Sequence, residues 1–117
     1  MDRTLTIKDP NISVAVLDEP GPGGASHLYS IIVNTDAGAT VDHVRFQKGP
    51  IAEDGVNGLT QETLLAIVED RLKCFQAGPY ACRENAVALT KVQEAMMWLN
   101  KRTADRVDRG VEGTSVI

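Results

Sequence analysis

Aromatic residues and cysteines are scarce in this chain of 117 residues, in which aromatic side chains make up 4% and only two cysteines occur. No run approaches the roughly 20 apolar residues of a transmembrane helix, and the N-terminus lacks the apolar segment of a signal peptide. Without an export signal, Cys74 and Cys82 are expected to remain reduced. We therefore expect a soluble protein of the cytoplasm without a membrane partner.

Basic residues are also fewer than acidic residues. Twelve Lys and Arg against sixteen Asp and Glu leave a formal net charge of −4. This balance argues against a protein that duplex nucleic acid holds by general phosphate attraction. The apolar share of 43% and the charged share of 24% are ordinary for a globular protein. The length predicts a single domain over residues 1–117.

The first part of the chain, residues 1–51, has the pattern of a small antiparallel sheet. Alternating apolar residues predict strands at 12–17, 27–33 and 41–47, with a turn over 34–40. The connections are too short for parallel crossovers. In the strand at 41–47, Asp42, Val44 and Phe46 share the face that suits a core. A sheet of about three to four strands is predicted.

The second part, residues 60–109, has helical periodicity. Thr60 is predicted to cap a first helix that ends near Phe75 or Gln76, where Gly78 supplies a left-handed residue and Pro79 prevents continuation. The apolar stripe of this helix consists of Leu64, Leu65, Val68 and Leu72.

A second helix is predicted to begin near residues 82–84 and to pack antiparallel against the first. Its stripe consists of Leu89, Val92, Met96, Leu99 and Thr103. The predicted fold class is therefore α+β, an antiparallel sheet followed by a two-helix hairpin. The glycine-rich tail, residues 110–117, is expected to fold back or to cross to a neighbouring chain.

Three features that suggest chemistry have simpler interpretations. The glycine-rich loop at 21–24 resembles a phosphate loop but precedes a strand, so we interpret it as a connection between strands. His27 and His43 have no third ligand at metal-binding spacing and are interpreted as solvated strand residues. No nucleophile, general base or paired carboxylates stand in a catalytic pattern. The sequence predicts no catalytic residue, no metal and no other cofactor.

The junction between the helices carries groups that suit a nucleotide. Phe75, Tyr80, Arg83 and Asn85 fall where an apolar hairpin needs only a turn. Aromatic rings stack on bases, amides bind polar edges, and guanidinium groups pair with phosphates.

Three arginines recur late in the second helix, at Arg102, Arg106 and Arg109, and their spacing places them on one face. They suit either an anionic ligand or a structural role. In the structural interpretation they neutralise Glu94, Asp105 and Asp108 or interact with the negative end of the helix. The residues alone leave both interpretations open.

Several runs of the sequence are similar to one family of phage proteins. They are FQKGPI at 46–51, GVNGLT at 55–60, FQAG at 75–78, CRENA at 82–86 and RGVEGT at 109–114. From about residue 44 to 114 the chain resembles the first Thoeris anti-defence family, and its hairpin also resembles that of the anti-CBASS sponges. The resemblance implies a small sheet followed by two helices, in a dimer or a higher homo-oligomer such as a hexamer.

The same resemblance implies a function. Such proteins bind cyclic ADP-ribose isomers made by bacterial TIR-domain enzymes, glycocyclic ADP-ribose among them, and hold them without cleavage. The anti-CBASS sponges capture cyclic di- and trinucleotides. A protein of this kind acts in the cytoplasm of the infected bacterial cell.

Matching the binding groups of the family position by position assigns Phe75 to the adenine, Asn85 to a polar edge of the ligand and Arg102 to the pyrophosphate. Arg109 is expected to assist Arg102. His27 and Arg45 are candidates for a further basic contact from the N-terminal part. We expect each pocket to lie between two chains, because preformed walls reduce the cost of ordering the ligand.

Two other functions remain open. A nucleotide-cleaving enzyme could use His43 or Glu84 as its base. A protein-interaction module could bind a partner through the apolar stripe from Leu89 to Leu99.

Overall fold

The computed structural model describes residues 3–117 and divides them into two compact units. One unit ends at Leu59 and contains the strands, and the other, Thr60–Ile117, contains the two long helices. The boundary coincides with the change from alternating to helical periodicity. The prediction of one domain stays a prediction.

The sheet unit is a four-stranded antiparallel meander, which confirms the sheet of the predicted α+β class. Its strands, in spatial as in chain order, are β1 (Arg3–Leu5), β2 (Ile12–Val16), β3 (Leu28–Thr35) and β4 (Gly38–Arg45). The loop at 21–24 joins β2 to the antiparallel β3, so its interpretation as a strand connection is confirmed.

The turn between β3 and β4 is shorter than predicted. Thr35 pairs with Gly38, which leaves only two residues in the turn instead of the predicted 34–40. Thr35 Oγ1 donates to the Gly38 carbonyl at 2.6 Å and accepts from the Ala37 amide at 3.2 Å. The polar residues that indicated a long turn therefore belong to the exposed end of a strand pair, where ladder hydrogen bonds outweigh local propensity.

The core of the sheet unit lies around Val16, which is completely buried. Val16 pairs with Tyr29, and Tyr29 pairs with Val44 on the adjacent strand. The rings of Tyr29 and Phe46 meet edge to face, with centroids 5.7 Å apart. Val44 and Phe46 are thus half-buried on the core face, as predicted, whereas Asp42 is exposed.

The segment after β4 returns to the sheet through a bridge between Phe46 and Leu59. Gln47 N donates to the Leu59 carbonyl at 2.9 Å, and Leu59 N donates to the Arg45 carbonyl at 2.9 Å. A Cβ at Gly58 would clash with the carbonyl group of Phe46, so this close approach requires glycine. One helical turn, α1 (Ile51–Asp54), lies within the segment and was not predicted.

The hairpin unit consists of α2 (Gln61–Ala77) and α3 (Arg83–Asp108), as predicted. Thr60 Oγ1 accepts from the Thr63 amide at 3.3 Å and confirms the cap. Residues 89, 92, 96, 99 and 103 of the predicted stripe are half-buried. Val68 is 43% exposed, so its assignment to the stripe of α2 is wrong. Within residues 3–117, neither long helix has the apolar character that crossing a membrane requires.

The two helices end in different ways. Gly78 is extended, with φ −111° and ψ −168°, so the predicted left-handed conformation is wrong. The following Pro79 explains this, because proline restricts the residue before it to extended conformations. At the end of α3, Gly110 has φ 72°, and the amide of Val111 donates to the Arg106 carbonyl at 3.0 Å. This is a Schellman motif, and it turns the tail back toward α3.

Candidate functional site

The turn of the hairpin brings together the four residues that sequence analysis selected there, which we call the hairpin cluster: Phe75, Tyr80, Arg83 and Asn85. Phe75 lies in the last turn of α2, whereas Arg83 and Asn85 begin α3. Phe75 is 37% exposed and Tyr80 74% exposed, so both rings retain surface for stacking. The cluster therefore offers aromatic, amide and guanidinium groups at one end of the hairpin.

Side-chain caps fix the backbone of this turn. The Cys82 amide donates to Gln76 Oε1 at 3.1 Å, and the Asn85 amide donates to Cys82 Sγ at 3.4 Å. The Asn85 carboxamide itself has no hydrogen-bond partner among residues 3–117 and is half-buried. It is thus held near the turn with its donor and acceptor capacity unused.

Sequence analysis missed Arg71, whose guanidinium carbon lies 5.5 Å from the centroid of the Phe75 ring. The i, i+4 spacing of the two residues on α2 is the signal that would have found it. A cation over one face of the ring still leaves the other face for a base. Arg71 thus adds positive charge next to the hairpin cluster.

Arg102 is not part of the cluster within one chain. Asn85 lies in the first turn of α3 and Arg102 in its last third. At 1.5 Å per residue, the two positions are about 25 Å apart along the helix axis. One cyclic dinucleotide-sized ligand cannot touch both in the same chain. Arg102 is exposed, and its guanidinium has no hydrogen bond or ion pair with residues 3–117.

The other two arginines of the predicted face bind the tail of their own chain. Arg106 is 8% exposed and donates to the carbonyls of Val116, Val111 and Thr114 at 2.7, 2.9 and 3.1 Å. Arg109 donates to the Ile117 carbonyl at 2.9 Å.

The alternative partners proposed for these arginines are taken by lysines instead. Asp105 pairs with Lys101 at 2.8 Å, and Glu94 lies 3.9 Å from Lys91. The interpretation that the arginines neutralise Glu94 and Asp105 is therefore wrong.

The sheet unit contains a cavity of about 330 Å³ that we call the sheet pocket. Both N-terminal candidates, His27 and Arg45, lie in its wall. The complete lining consists of Asp18, His27, Leu28, Arg45, Phe46, Lys48 and Asn57. The guanidinium of Arg45 and the ammonium of Lys48 have no hydrogen bond or ion pair with residues 3–117. The wall thus combines two cations with the carboxylate of Asp18, and the charge of Lys48 acts on that carboxylate.

His27 is buried, at 9% exposure, so its interpretation as a solvated residue is wrong, whereas His43 is exposed as expected. The Asp18 carboxylate explains the burial. It accepts hydrogen bonds from the amides of His27 and Leu28 at 3.0 Å. These residues are nine and ten positions away in the chain, so the sequence pattern did not predict the contacts. These amides, that of Leu28 first, hold the pKa of Asp18 below its ordinary value.

The imidazole of His27 has unused hydrogen-bonding capacity. Its Nδ1 lies 3.8 Å from Asp18 Oδ2 and has no hydrogen-bond partner within the described chain. Nowhere in residues 3–117 do three or more His, Cys, Asp or Glu side chains gather as metal ligands would.

Comparison with known families identifies most of the second unit and part of the first. The profile of the Acb2/Tad1 hairpin domain matches residues 39–104, more than half of the chain. The chain belongs to the Acb2/Tad1 hairpin family.

A curated relative carries a more specific name. The protein called Thoeris anti-defense 1 from Bacillus phage SBSphiJ7 is 50% identical over 94 residues. The match covers 80% of this chain and 64% of the relative, so the chain spans a little under two thirds of that protein's length.

The extent of the Acb2/Tad1 hairpin match separates the candidate residues into two groups. It includes Arg45, the whole hairpin cluster and Arg102. His27 and Arg109 lie outside it, as does the tail that Arg106 binds. The Acb2/Tad1 hairpin therefore contains the trio Phe75, Asn85 and Arg102, although one chain does not bring the trio together.

Proposed function

We propose that this protein is a phage anti-defence protein that sequesters a cyclic ADP-ribose isomer, glycocyclic ADP-ribose in the first instance, without cleaving it. The name of the phage relative and membership of the Acb2/Tad1 hairpin family support the anti-defence role. Capture of the signal in the cytoplasm of the infected cell would keep it from the Thoeris effector.

The observation that carries the proposal is the hairpin cluster. Phe75 offers a ring face for the adenine, and the unpaired carboxamide of Asn85 lies in the first turn of α3. Tyr80 and Arg83 lie between them in the chain and can contact the ribose or phosphate groups. Arg102 is the free guanidinium left for the pyrophosphate, with Arg109 beside the tail as a second donor.

The distance along α3 implies that two chains complete one site. The cluster at one end of the hairpin and Arg102 near the other would meet if two α3 helices ran antiparallel, each chain giving Arg102 to the cluster of the other. The energetics require such an enclosure. Nanomolar binding needs about −12 kcal/mol. One stacked base supplies about 1–3 kcal/mol, and one charged hydrogen bond about 1.5–3 kcal/mol.

Exposed apolar side chains on the helices support self-association. Ile67, Met97 and Trp98 are 56%, 67% and 69% exposed in the single chain. Large exposed apolar side chains of this kind are common on surfaces that bind another protein. We propose a homodimer as the binding unit, which can assemble further, for example into a hexamer.

Titration calorimetry with glycocyclic ADP-ribose tests the assignment. Phe75→Ala and Arg102→Ala should each weaken binding about 10- to 100-fold, because each removes one stacked or charged contact. Arg3→Ala, which removes an exposed arginine of β1, is the control and should leave the affinity unchanged. Unchanged affinity in both site variants would refute the assignment. Heat denaturation of the complex should release the ligand intact, whereas linear ADP-ribose would identify a hydrolase.

The two alternative functions have less support. The stripe from Leu89 to Leu99, through which a protein-interaction module would bind, is half-buried in the packing of α2 on α3. Of the bases considered for an enzyme, His43 is exposed on β4 and Glu84 is exposed in the first turn of α3. Neither belongs to a cluster of metal-ligand residues in the described chain.

A second candidate function is the capture of cyclic di- or trinucleotides of CBASS signalling. The sheet pocket favours it, because Arg45 and the imidazole of His27 face a cavity large enough for a phosphate-bearing part of such a ligand. If the two ligands use different sites, Phe75→Ala should bind a cyclic trinucleotide as tightly as the unchanged protein does.

A further inference from the structure

We propose that Lys48 determines the anion affinity of the sheet pocket and that Asn57 is the positioning residue that holds it there. The ligand class is a phosphate-bearing anion. This inference rests on the second candidate function, binding in the sheet pocket, and adds to it a residue that the sequence did not single out.

Asn57 binds the main chain of Lys48 on both sides. The Lys48 amide donates to Asn57 Oδ1 at 2.8 Å, and Asn57 Nδ2 donates to the Lys48 carbonyl at 2.8 Å. A carboxamide that makes both bonds imitates a strand partner and fixes the peptide plane. The starting point of the Lys48 side chain is therefore determined by a residue nine positions away.

Asn57 is held in turn by the segment around it. Its amide donates to Gln47 Oε1 at 2.9 Å, and Gln47 Nε2 donates to the Gly55 carbonyl at 2.8 Å. The bridge between Phe46 and Leu59 closes the segment at its ends. The Lys48 backbone consequently lies in a closed network rather than in a free loop.

The side chain of Lys48 extends along the wall of the pocket toward His27. A Cβ built on Gly21 would lie 3.4 Å from Lys48 Cε and 3.3 Å from His27 Cε1. Lys48 and His27 thus approach the same residue from opposite chain segments. The ammonium forms no hydrogen bond or ion pair with residues 3–117, although its charge helps to lower the pKa of Asp18, and its three donors remain for an anion.

The charges of the wall favour an anion as well. Asp18 is the one carboxylate of the lining, and backbone amides occupy its oxygens. Arg45 and Lys48 contribute two positive charges, and His27 Nδ1 is a buried polar atom without a hydrogen-bond partner in the described chain. A phosphate between Arg45 and Lys48 would receive charge-assisted hydrogen bonds from both.

Titration of the full chain with inorganic pyrophosphate and with a cyclic trinucleotide tests the inference. Lys48→Gln should weaken the binding of both probes about tenfold, because it removes one charge-assisted hydrogen bond. It should also lower the dependence of affinity on salt. Lys48→Arg, which keeps the charge, should stay within about threefold. Lys8→Gln is the matched control, since it removes the same charge from an exposed position outside the pocket.

A double-mutant cycle separates positioning by Asn57 from a general effect on folding. Asn57→Ala removes both hydrogen bonds to the Lys48 main chain without adding a charge to the pocket wall. It should weaken pyrophosphate binding when Lys48 is present and add nothing in the Lys48→Gln background. Additive losses in the two backgrounds would contradict the positioning role.

The outcomes distinguish the inference from the function on which it rests. If Arg45→Gln loses affinity and Lys48→Gln does not, the pocket binds anions and the role of Lys48 is refuted. If the unchanged protein binds neither probe, binding in the sheet pocket is refuted together with it.

Discussion

At the scale of single residues, the clearest electrostatic feature is the carboxylate of Asp18. Its hydrogen bonds from the amides of Leu28 and His27 lower its pKa in the folded state. A carboxyl group of this kind contributes stability above its unfolded pKa and loses that contribution as the pH falls through its folded pKa. Asp18 should therefore stabilise the sheet unit at neutral pH and cease to do so in acid.

Replacement of Asp18 by Asn should lower the Tm at pH 7, and the difference from the unchanged protein should narrow as the pH falls from about 5 to about 2. Calorimetric melting over this range measures it. Asp42→Asn removes an exposed strand carboxylate that forms no hydrogen bond with residues 3–117 and is the matched control. If the difference in Tm between Asp18→Asn and the unchanged protein stayed constant from about pH 7 to about pH 2, the charge of Asp18 would not contribute to stability.

The residue scale also marks where sequence reasoning stops. Phe75 and Asn85 could be selected because aromatic and amide groups in a turn have no purpose in packing. The burial of His27 could not be predicted in this way. It depends on hydrogen bonds to Asp18, nine positions earlier, and periodicity carries no information about such bonds. Likewise the bonds of Arg106 to the tail carbonyls depend on a chain reversal, and spacing on the helix revealed only a shared face.

At the scale of elements, periodicity predicted most of the fold. The change from alternating to helical spacing located the sheet and the hairpin, because each pattern follows from which side chains reach a common core. The misses have local causes. Pairing between strands extended β3 and β4 into the predicted turn, and Pro79 imposed an extended conformation on Gly78. α1 is a single turn, too short for a period to appear.

The end of α3 and the tail form one element that depends on Arg106. Two nitrogens of its planar guanidinium donate to three carbonyls, an arrangement that the single nitrogen of a lysine ammonium cannot reproduce. In Arg106→Lys the amides of Val111 and Thr114 should exchange hydrogen at least about tenfold faster, while those in the middle of α3 keep their protection. Hydrogen exchange followed by NMR measures this directly.

Arg102→Lys provides the control for that experiment. Arg102 is exposed and has no partner in the described chain. Its replacement should therefore leave amide hydrogen exchange in the tail unchanged and weaken binding of glycocyclic ADP-ribose instead. The two arginines would thus separate a structural from a binding role on one helix. If Arg106→Lys weakened binding of glycocyclic ADP-ribose with the tail still protected, Arg106 would itself be a ligand contact.

At the scale of the whole molecule, the function depends on whether chains share their sites. The separation of about 25 Å between Asn85 and Arg102 follows from helix geometry alone. A symmetric dimer would bring Asn85 of one chain and Arg102 of the other to the same ligand. Because each contact of an isologous interface occurs twice, such a dimer has two equivalent sites. A chain acting alone would have to bind with either the hairpin cluster or Arg102, but not with both.

Mixing two inactive variants distinguishes these cases. Phe75→Ala and Arg102→Ala proteins, each deficient in binding glycocyclic ADP-ribose, should recover part of it when they are unfolded, mixed equally and refolded. Random pairing makes half of the dimers mixed, and each mixed dimer has one site with both residues intact, so about a quarter of all sites should bind tightly. Refolding each variant alone is the control and should recover nothing. Because sites within one chain would leave every copy defective, the absence of recovery in a mixture that demonstrably exchanges subunits would contradict sharing.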